Sequence, residues 1–241
     1  MNTKANTALI AEPPVWFITG CSTGFGMELA KQAIQKGYRT VMTARDPAPL
    51  EGYGATDNVL VLKLDVTQAD QIEAAMAATK ARFGGIDVLV NNAGIGYFAA
   101  IEEGEDAEVR KMFEVNVFGL SRVIQAVLPG MRKRRTGCIV NFSSIGGIRA
   151  FPAIGYYNAT KFAVEGLSEA LWKEIEPLGL RVMLVSRAAF APTGPVARPT
   201  RVRTRSTTTR PRPAPRGRRC AHRPASSLGI RSVPPRPSSR R

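Results

Sequence analysis

The chain has 241 residues with a formal net charge of +15, and 44% of its residues are hydrophobic. A chain of this length can bury the core of one sizeable domain. No apolar run reaches the ~18 residues that a membrane-spanning helix needs, and residues 1–14 lack the apolar core of a secretion signal. We therefore expect a cytoplasmic protein without a membrane segment.

The positive charge is concentrated at the end of the chain. Residues 186–241 contain 15 Arg and no Lys, Asp or Glu, whereas residues 1–185 contain 19 Lys and Arg against 19 Asp and Glu. The tail also holds 10 of the 17 Pro residues and one aromatic residue, Phe190. We therefore expect a neutral globular domain over residues 1–185 and a disordered tail over 186–241. Because the tail offers little base stacking, we do not expect nucleic acid as a partner.

The cysteines and the histidine exclude several kinds of site. Cys21, Cys138 and Cys220 are scattered and form neither a disulfide framework nor a CxxC pair. The only histidine, His222, lies in the tail. Residues 1–185 therefore cannot form a histidine-based metal site or a Ser-His-Asp triad, and we expect no metal. Proton transfer there must use Tyr, Lys, Asp, Glu or Cys.

Residues 1–185 alternate short β-branched runs with longer amphipathic segments. The runs predict six strands, at Val15–Thr19, Thr40–Ala44, Val59–Leu64, Ile86–Val90, Cys138–Phe142 and Leu180–Val185. The longer segments predict helices at Gly24–Gln35, Gln68–Phe83, from Glu105 towards Arg134, and at Tyr156–Glu176. Strands that alternate with long helices pair in parallel through right-handed crossovers. We therefore expect an α/β fold, a Rossmann-like doubly wound parallel sheet with strand order 3-2-1-4-5-6.

A glycine-rich turn, TGCSTGFG, joins the first strand to the first helix at Thr19–Gly26. Glycines let the backbone approach a pyrophosphate closely, and the N-terminus of the helix supplies N–H donors and a positive dipole end. Glycine turns are also common in proteins that bind no nucleotide, but the strand–turn–helix context favours a dinucleotide. The expected contacts are Gly20, Ser22, Thr23, Gly24, Phe25 and Gly26.

The end of the second strand bears on which dinucleotide binds. An acidic residue there would accept hydrogen bonds from the adenosine ribose, but Ala44 is followed by Arg45. A guanidinium suits a 2′-phosphate, so Arg45 favours NADP, although a surface arginine is common in any protein. Asp46, one position further along, would instead serve NAD.

Tyr157 and Lys161 lie four residues apart on one predicted helix and therefore share a face. A free phenol has a pKa near ~10, and a neighbouring ammonium favours its ionised form. Such a pair is weak evidence alone, because a partly buried Tyr beside a solvated Lys is common. Ser144 and Asn92 strengthen it, since they follow the fifth and fourth strands at the sheet edge where ligands bind.

With these motifs in order and at these spacings, residues 14–185 resemble the short-chain dehydrogenase/reductase family. The resemblance implies hydride transfer between a nicotinamide cofactor and an alcohol or carbonyl compound, with Tyr157 as acid/base and Ser144 holding the substrate oxygen. It implies that Lys161 assists Tyr157 and holds the nicotinamide ribose, and that Asn116 anchors a water. The residues that the resemblance assigns to the adenosine half of the cofactor are Asp65, Val66, Asn92, Ala93 and Gly94, and Ser22 and Arg45 match positions that serve NADP.

The family pattern stops after the sixth strand, where a Pro-Gly turn, a substrate-binding loop and a seventh strand are not legible. Arg, Pro, Ala, Ser and Thr without acidic residues are typical of GC-rich DNA read out of frame, so we hypothesise a frame-shifted tail. The alternative is a natural tail that binds a polyanion. Without a seventh strand we expect an apolar edge at Leu180–Val185, a weakened fold and low or absent turnover.

We therefore predict an NADP-dependent oxidoreductase acting on CH–OH groups of small molecules. An inactive nucleotide-binding remnant and a polyanion-binding protein remain as alternatives. The resemblance also implies a homodimer or homotetramer formed through the helices that carry Asn116 and Tyr157. Four aromatic residues either line an apolar substrate pocket or pack in an ordinary core: Tyr97, Phe98, Phe151 and Tyr156.

Overall fold

The computed structural model describes residues 12–187. The predictions for the chain before and after this range lie outside the described residues. Within it, strands and helices alternate: β1 (Val15–Ile18), α1 (Gly24–Gln35), β2 (Arg39–Ala44), β3 (Val59–Lys63), α2 (Ala69–Phe83), β4 (Val88–Asn91), α3 (Asp106–Phe113), α4 (Leu120–Arg134), β5 (Cys138–Ser144), α5 (Gly155–Ile175) and β6 (Arg181–Arg187).

The strands form one sheet in the order β3-β2-β1-β4-β5-β6, and every neighbouring pair is parallel. The predicted Rossmann-like fold and strand order are therefore confirmed. Central strand β1 pairs with both β2 and β4, so that Phe17 lies opposite Val41 on one side and Leu89 on the other. The chain reverses its direction across the sheet at β1 and β4, which is where ligands bind in this architecture.

Hydrophobic side chains cover both faces of the sheet. Successive strand residues point to opposite faces, so that Phe17 joins one core cluster and Ile18 the other. The larger cluster includes Ile72 of α2 and Val123 of α4, while the smaller one includes Ala30 of α1. Helices on both faces explain why the strands read as nearly continuous apolar runs.

The long helix predicted between Glu105 and Arg134 is interrupted. A π-helical turn at Glu114–Gly119 separates α3 from α4. A Cβ placed on Gly119 would lie 2.7 Å from Val66 Cγ2, so the glycine allows this turn to approach the loop after β3. Such single π turns inside helices are frequent at functional sites.

The last strand continues two residues beyond the predicted domain boundary at 185. Ser186 pairs with Ser143 and Arg187 with Ser144. Strand pairing uses backbone groups, so the change in side-chain composition at Ser186 does not end the strand. Within residues 12–187, β6 pairs with β5 alone, and no helix there is long and apolar enough to cross a bilayer.

Candidate active site

The predicted site residues gather at the carboxyl edge of the sheet. The glycine turn follows β1, Asn92–Gly94 follow β4, and Ser144 is the last residue of β5. Tyr157 and Lys161 lie in the first two turns of α5. Because the carboxyl ends of parallel strands share one edge, residues far apart in sequence meet there.

Lys161 is held beside Tyr157 although it is only 8% exposed. Its Nζ donates a hydrogen bond to the carbonyl oxygen of Phe142 at 2.8 Å and lies 5.8 Å from the centroid of the Tyr157 ring. A buried ammonium needs such partners to offset the loss of water. The positive charge is therefore fixed next to the phenol, as the four-residue spacing predicts.

Ser144 and Tyr157 converge on Gly146. A Cβ built on Gly146 would lie 3.5 Å from Tyr157 Cε1 and 3.6 Å from Ser144 Oγ. The backbone N–H of Gly146 donates to Ser144 Oγ at 3.1 Å. The structure therefore brings the hydroxyl of Ser144 and the ring of Tyr157 to the same place.

Asn116 lies in the π-helical turn and is 2% exposed. Its side-chain Oδ1 accepts from the backbone N–H of Ile95, and its Nδ2 donates to the Ile95 carbonyl, both at 2.8 Å. A further bond runs from Nδ2 to Thr160 Oγ1 at 3.2 Å. Both N–H groups of the Asn116 side chain thus have acceptors within the protein. The water that the resemblance implies would therefore donate to a carbonyl oxygen of Asn116.

Thr160 is a site residue that sequence reasoning missed. Its Oγ1 accepts from Asn116 and donates to the backbone carbonyl of Tyr157 at 2.8 Å. Thr160 is fully buried and thereby ties the π-helical turn to the first turn of α5. Its position three residues after Tyr157 was a usable signal, because residues at that spacing share a helix face.

The glycines of the first turn allow close packing against neighbouring segments. Gly20 has a φ of +72°, and a Cβ there would lie 2.9 Å from Ala93 Cα. A Cβ on Gly26 would lie 2.3 Å from the Gly20 carbonyl oxygen and 2.4 Å from Asn92 Nδ2. Gly24 has a φ of +63°, but a Cβ there meets no described atom within 4 Å. The turn is therefore tight on the side of the loop after β4 and open at Gly24.

Asn92 and Thr19 join this turn to the loop after β4. Asn92 Nδ2 donates to the carbonyl oxygens of Thr19 and Gly20, both at 2.9 Å. Thr19 Oγ1 accepts from the backbone N–H groups of Asn92 and Ala93, both at 3.0 Å. The Asn92 side chain therefore braces the two loops. Thr19, which was not predicted as a site residue, is the matching brace.

The N-terminus of α1 suits an anionic group. Thr23 precedes the helix in an extended conformation and makes no side-chain capping bond with the described residues, and the first turn of α1 contains no acidic side chain. Ser22 is half-buried, while Thr23 and Phe25 are exposed. Among the described residues, neither a capping side chain nor an acidic side chain of the first turn occupies this end of the helix, which suits the pyrophosphate of a dinucleotide.

The remaining predicted cofactor residues follow β2 and β3. Arg45 is exposed directly after β2, whereas Asp46 Oδ1 accepts from the backbone N–H of Ala48 at 3.1 Å. Asp65 Oδ1 accepts from the backbone N–H of Thr67 at 2.9 Å and from its hydroxyl at 2.8 Å. Val66 is buried in the core. Arg45 and Asp46 are thus exposed, whereas Asp65 is half-buried and Val66 is buried.

Cys21, inside the glycine turn, is no candidate for proton transfer. Burial raises the pKa of its thiol to about 12, against a smaller lowering effect from the backbone of Thr43. The thiol therefore stays protonated at neutral pH. Among residues 12–187, no group of three or more His, Cys, Asp or Glu side chains could hold a metal ion.

Comparisons with known proteins agree with this arrangement. Residues 14–200 match the family model for short chain dehydrogenases. The chain is 41% identical over 179 residues to a 3-ketodihydrosphingosine reductase from Bacteroides thetaiotaomicron, covering 74% of this chain and 65% of that protein. It thus spans less than two thirds of the length of the curated relatives to which it is similar.

Solved structures show the same similarity. A 3-ketoacyl-(acyl-carrier-protein) reductase from Brucella melitensis, complexed with NADH, superposes with a TM-score of 0.71 at 32% identity, covering 74% of this chain and 76% of that one. A gluconate 5-dehydrogenase from Burkholderia cenocepacia, in complex with NADP and tartrate, gives a TM-score of 0.69 at 29% identity, covering 75% and 73%. With a family model that matches most of its length and a sheet edge that gathers the family's motif residues, this chain belongs to the short-chain dehydrogenase family of oxidoreductases.

Proposed function

We propose that this chain transfers a hydride between NADP(H) and an alcohol or carbonyl substrate, with Tyr157 as the acid/base. The observation that carries the proposal is the position of the Lys161 ammonium, buried and 5.8 Å from the Tyr157 ring. A phenol so placed can pass its proton to a substrate oxygen with a fixed positive charge beside it. Solved relatives that hold NADH or NADP support a nicotinamide cofactor.

The chain's own residues would handle the proton and the substrate oxygen. When bound, the cofactor supplies or accepts the hydride. The Tyr157 hydroxyl donates its proton to the carbonyl oxygen during reduction, and the resulting phenolate is the base that takes a proton from the alcohol during oxidation. Ser144 Oγ already accepts from Gly146, so its own O–H can donate to the same oxygen and stabilise the developing charge.

The preference for NADP is supported by the end of β2. Arg45 is exposed there, while the carboxylate of Asp46 already accepts a backbone hydrogen bond from Ala48. A free guanidinium can form two charge-assisted bonds with a 2′-phosphate. Asp46 stands one position beyond the strand end at which a carboxylate would meet the ribose hydroxyls, which makes the NAD alternative less favourable.

Replacing Tyr157 tests the proposed acid/base. Tyr157→Phe should reduce NADPH-dependent turnover of simple ketones and aldehydes by about 100-fold or more, while NADPH binding, measured by fluorescence titration, stays unchanged. Tyr38→Phe is the matched control, because Tyr38 stacks on Trp16 away from the site. Wild-type turnover in Tyr157→Phe would contradict the role. NADPH binding without turnover in the unaltered chain would instead support an inactive nucleotide-binding protein.

Replacing Arg45 tests the cofactor. Hydrogen bonds to charged groups contribute about 1.5–3 kcal/mol, so Arg45→Ala should weaken NADPH binding about 10- to 100-fold. NADH lacks the 2′-phosphate, and its affinity should not change. An equal loss for both cofactors would show that Arg45 does not recognise the phosphate.

We also propose self-association through α4 and α5. Phe118, in the turn before α4, is 52% exposed, and Phe162 on α5 is 46% exposed. Large exposed aromatic side chains are enriched at protein interfaces. Sedimentation of the full chain should give a dimer or a tetramer, and a double Phe118→Ser, Phe162→Ser variant should shift it towards the monomer. A monomer in the unaltered chain would reject the proposal.

A further inference from the structure

Two loops at the carboxyl edge present large apolar side chains to solvent. The loop after β4 carries Phe98 and Ile101, which are 59% and 63% exposed. The loop between β5 and α5 carries Ile148 and Phe151, which are 61% and 37% exposed. We call these four residues the apolar rim. Exposed large apolar side chains on adjacent loops are a feature of binding surfaces.

Contacts between the two loops hold the rim in place. The Tyr156 hydroxyl donates to the backbone carbonyl of Ile101 at 2.9 Å. An isolated parallel bridge pairs Ala99 with Ile154. The two loops therefore form one supported surface, and the exposure of the rim does not come from unsupported chain.

Each loop is also braced within itself. The backbone N–H of Glu105 donates to the Tyr97 hydroxyl at 3.0 Å, and Ala153 is held at a φ of +61°, where residues with a Cβ are rarely found. Surrounding contacts must impose such a conformation. Of the aromatic residues considered for a substrate pocket, Tyr97 and Tyr156 thus anchor the loops, while Phe98 and Phe151 remain exposed.

The rim adjoins the Ser144–Tyr157 pair. A Cβ on Gly155, two residues before Tyr157, would lie 2.4 Å from Ile101 Cδ1. Asn158, the residue after Tyr157, donates from Nδ2 to the Phe151 carbonyl at 3.2 Å. Both loops are thus attached to the turn of α5 that carries the proposed acid/base.

We infer that the apolar rim binds the hydrocarbon part of a bulky lipophilic alcohol or carbonyl compound while its oxygen lies at Ser144 and Tyr157. This inference rests on the proposed function, which places the reacting oxygen. A small polar substrate would leave the four side chains in water, whereas a long alkyl group would remove both them and itself from water. Continuity between the rim and the reaction centre favours substrate over a second protein as the occupant.

A series of straight-chain alcohols tests the inference without turnover. We would titrate 1-hexanol, 1-octanol and 1-decanol into the full chain with NADPH present, by calorimetry. No hydride can move, because alcohol and cofactor are both reduced. Each methylene buried on the rim should lower the dissociation constant about fourfold. Equal affinities across the series would overturn the inference.

Variants of the rim residues test whether the dependence of affinity on chain length arises at the apolar rim. The double variant Phe98→Ser, Ile148→Ser should lose most of the dependence on chain length, and each single variant should lose part of it. Leu167→Ser is the matched control. Leu167 is 43% exposed, and it lies about 15 Å beyond Tyr157 along α5. Thermal unfolding would first show that the variants are folded, and the single variants serve if the double one is not. Full chain-length dependence in the rim variants would overturn the inference.

The two proposals fail in different ways. Chain-length dependence without NADPH oxidation would reject the proposed hydride transfer and leave the lipophilic surface in place. NADPH oxidation that depends on Tyr157, combined with equal affinity for short and long alcohols, would reject the rim and leave the reaction.

Discussion

Lys161 is hydrogen-bonded to a backbone acceptor that lies nineteen residues away in sequence. The carbonyl oxygen of Phe142 accepts a hydrogen bond from Lys161 Nζ at 2.8 Å. This bond helps to hold the ammonium beside Tyr157, although only 8% of Lys161 is exposed. The position of this positive charge therefore depends on a contact between α5 and the end of β5.

Thr160 should be energetically coupled to Asn116. Thr160→Val removes the acceptor of the Asn116 Nδ2 bond and leaves a buried donor without a partner, which costs about 1–3 kcal/mol of unfolding free energy. In an Asn116→Ala background that donor is absent, so the cost should fall by about 1 kcal/mol. Urea unfolding of the four proteins in the cycle measures the difference.

The control for this cycle pairs Asn116→Ala with Ser168→Ala. Ser168 bonds to Asn141 and to the Val164 carbonyl and shares no bond with Asn116, so these two changes should add. Additive effects of Asn116→Ala and Thr160→Val would contradict the coupling.

Cys21 should make the chain less stable in alkali. Its folded-state pKa is raised from 9.0 to about 12 by burial, so the folded state holds the proton more tightly than the unfolded state. The resulting stability is complete below pH 9 and is lost as the pH rises towards 12. Each tenfold difference in proton affinity corresponds to about 1.4 kcal/mol.

Cys21→Ala should remove this contribution. The unfolding free energy of the variant should fall less steeply above pH 9 than that of the unaltered chain, because alanine carries no ionisable proton. Unfolding curves at a series of pH values measure the two slopes. Identical slopes would show that the thiol does not ionise on unfolding, and Cys138→Ala gives the comparison with a less buried cysteine.

At the scale of elements, the β1–α1 turn is limited by its contact with the loop after β4. Gly26→Ala would place a Cβ 2.3 Å from the Gly20 carbonyl oxygen and 2.4 Å from Asn92 Nδ2. Overpacking of this kind costs about 1–3 kcal/mol. We expect lower stability to urea and weaker NADPH binding, because the whole turn must shift.

Gly166→Ala is the control for this substitution. Gly166 lies inside α5, and a Cβ there meets no described atom within 4 Å. Alanine is favoured over glycine in a helix by about 0.8–1 kcal/mol, so this variant should gain stability. The two substitutions should therefore shift the urea midpoint in opposite directions, and a shared direction would contradict the steric argument.

At the scale of the whole molecule, the sheet ends at β6 in the described part of the chain. Met183, in the middle of this strand, is 55% exposed. An apolar edge strand is a template for intermolecular pairing. Met183→Lys should therefore slow aggregation of the concentrated protein, followed by light scattering.

Leu167→Lys controls for the added charge. It replaces another exposed apolar residue, 43% exposed, on α5 instead of on an edge strand. If aggregation proceeds through β6, the Met183 variant alone should slow it. An equal effect of both variants would attribute the improvement to net charge.

Much of this architecture could be predicted from periodicity. The six strands and their order follow from β-branched runs that alternate with amphipathic segments, and the bounds differ from the expected ones by one or two residues. The π-helical turn at Glu114–Gly119 could not be predicted in this way, because its residues also fit a continuous helix. Tight packing of Gly119 against Val66 accompanies it, and this contact joins distant segments.

Some residues of the candidate site could likewise be predicted from the sequence, and others could not. Tyr157, Lys161 and Ser144 could be proposed because a four-residue spacing and strand ends are visible in the chain itself. Thr19 could not, because its partner Asn92 lies in another element. The spacing of Thr160 from Tyr157 places it on the same helix face, but it does not indicate the bond to Asn116. The predicted aromatic pocket was also ambiguous in sequence, since only tertiary contacts separate anchoring tyrosines from exposed phenylalanines.

The sequence by itself determined the parallel sheet, the position of the glycine turn and the pairing of Tyr157 with Lys161. These features depend on spacings of a few residues, because helix and strand geometry relates residues that are close together in sequence. Only the tertiary structure decided that Ser144 and Tyr157 meet at Gly146, that Asn92 braces two loops, and that an apolar rim borders the site. Such contacts join segments far apart along the chain, and their energies depend on packing and burial that no local pattern encodes.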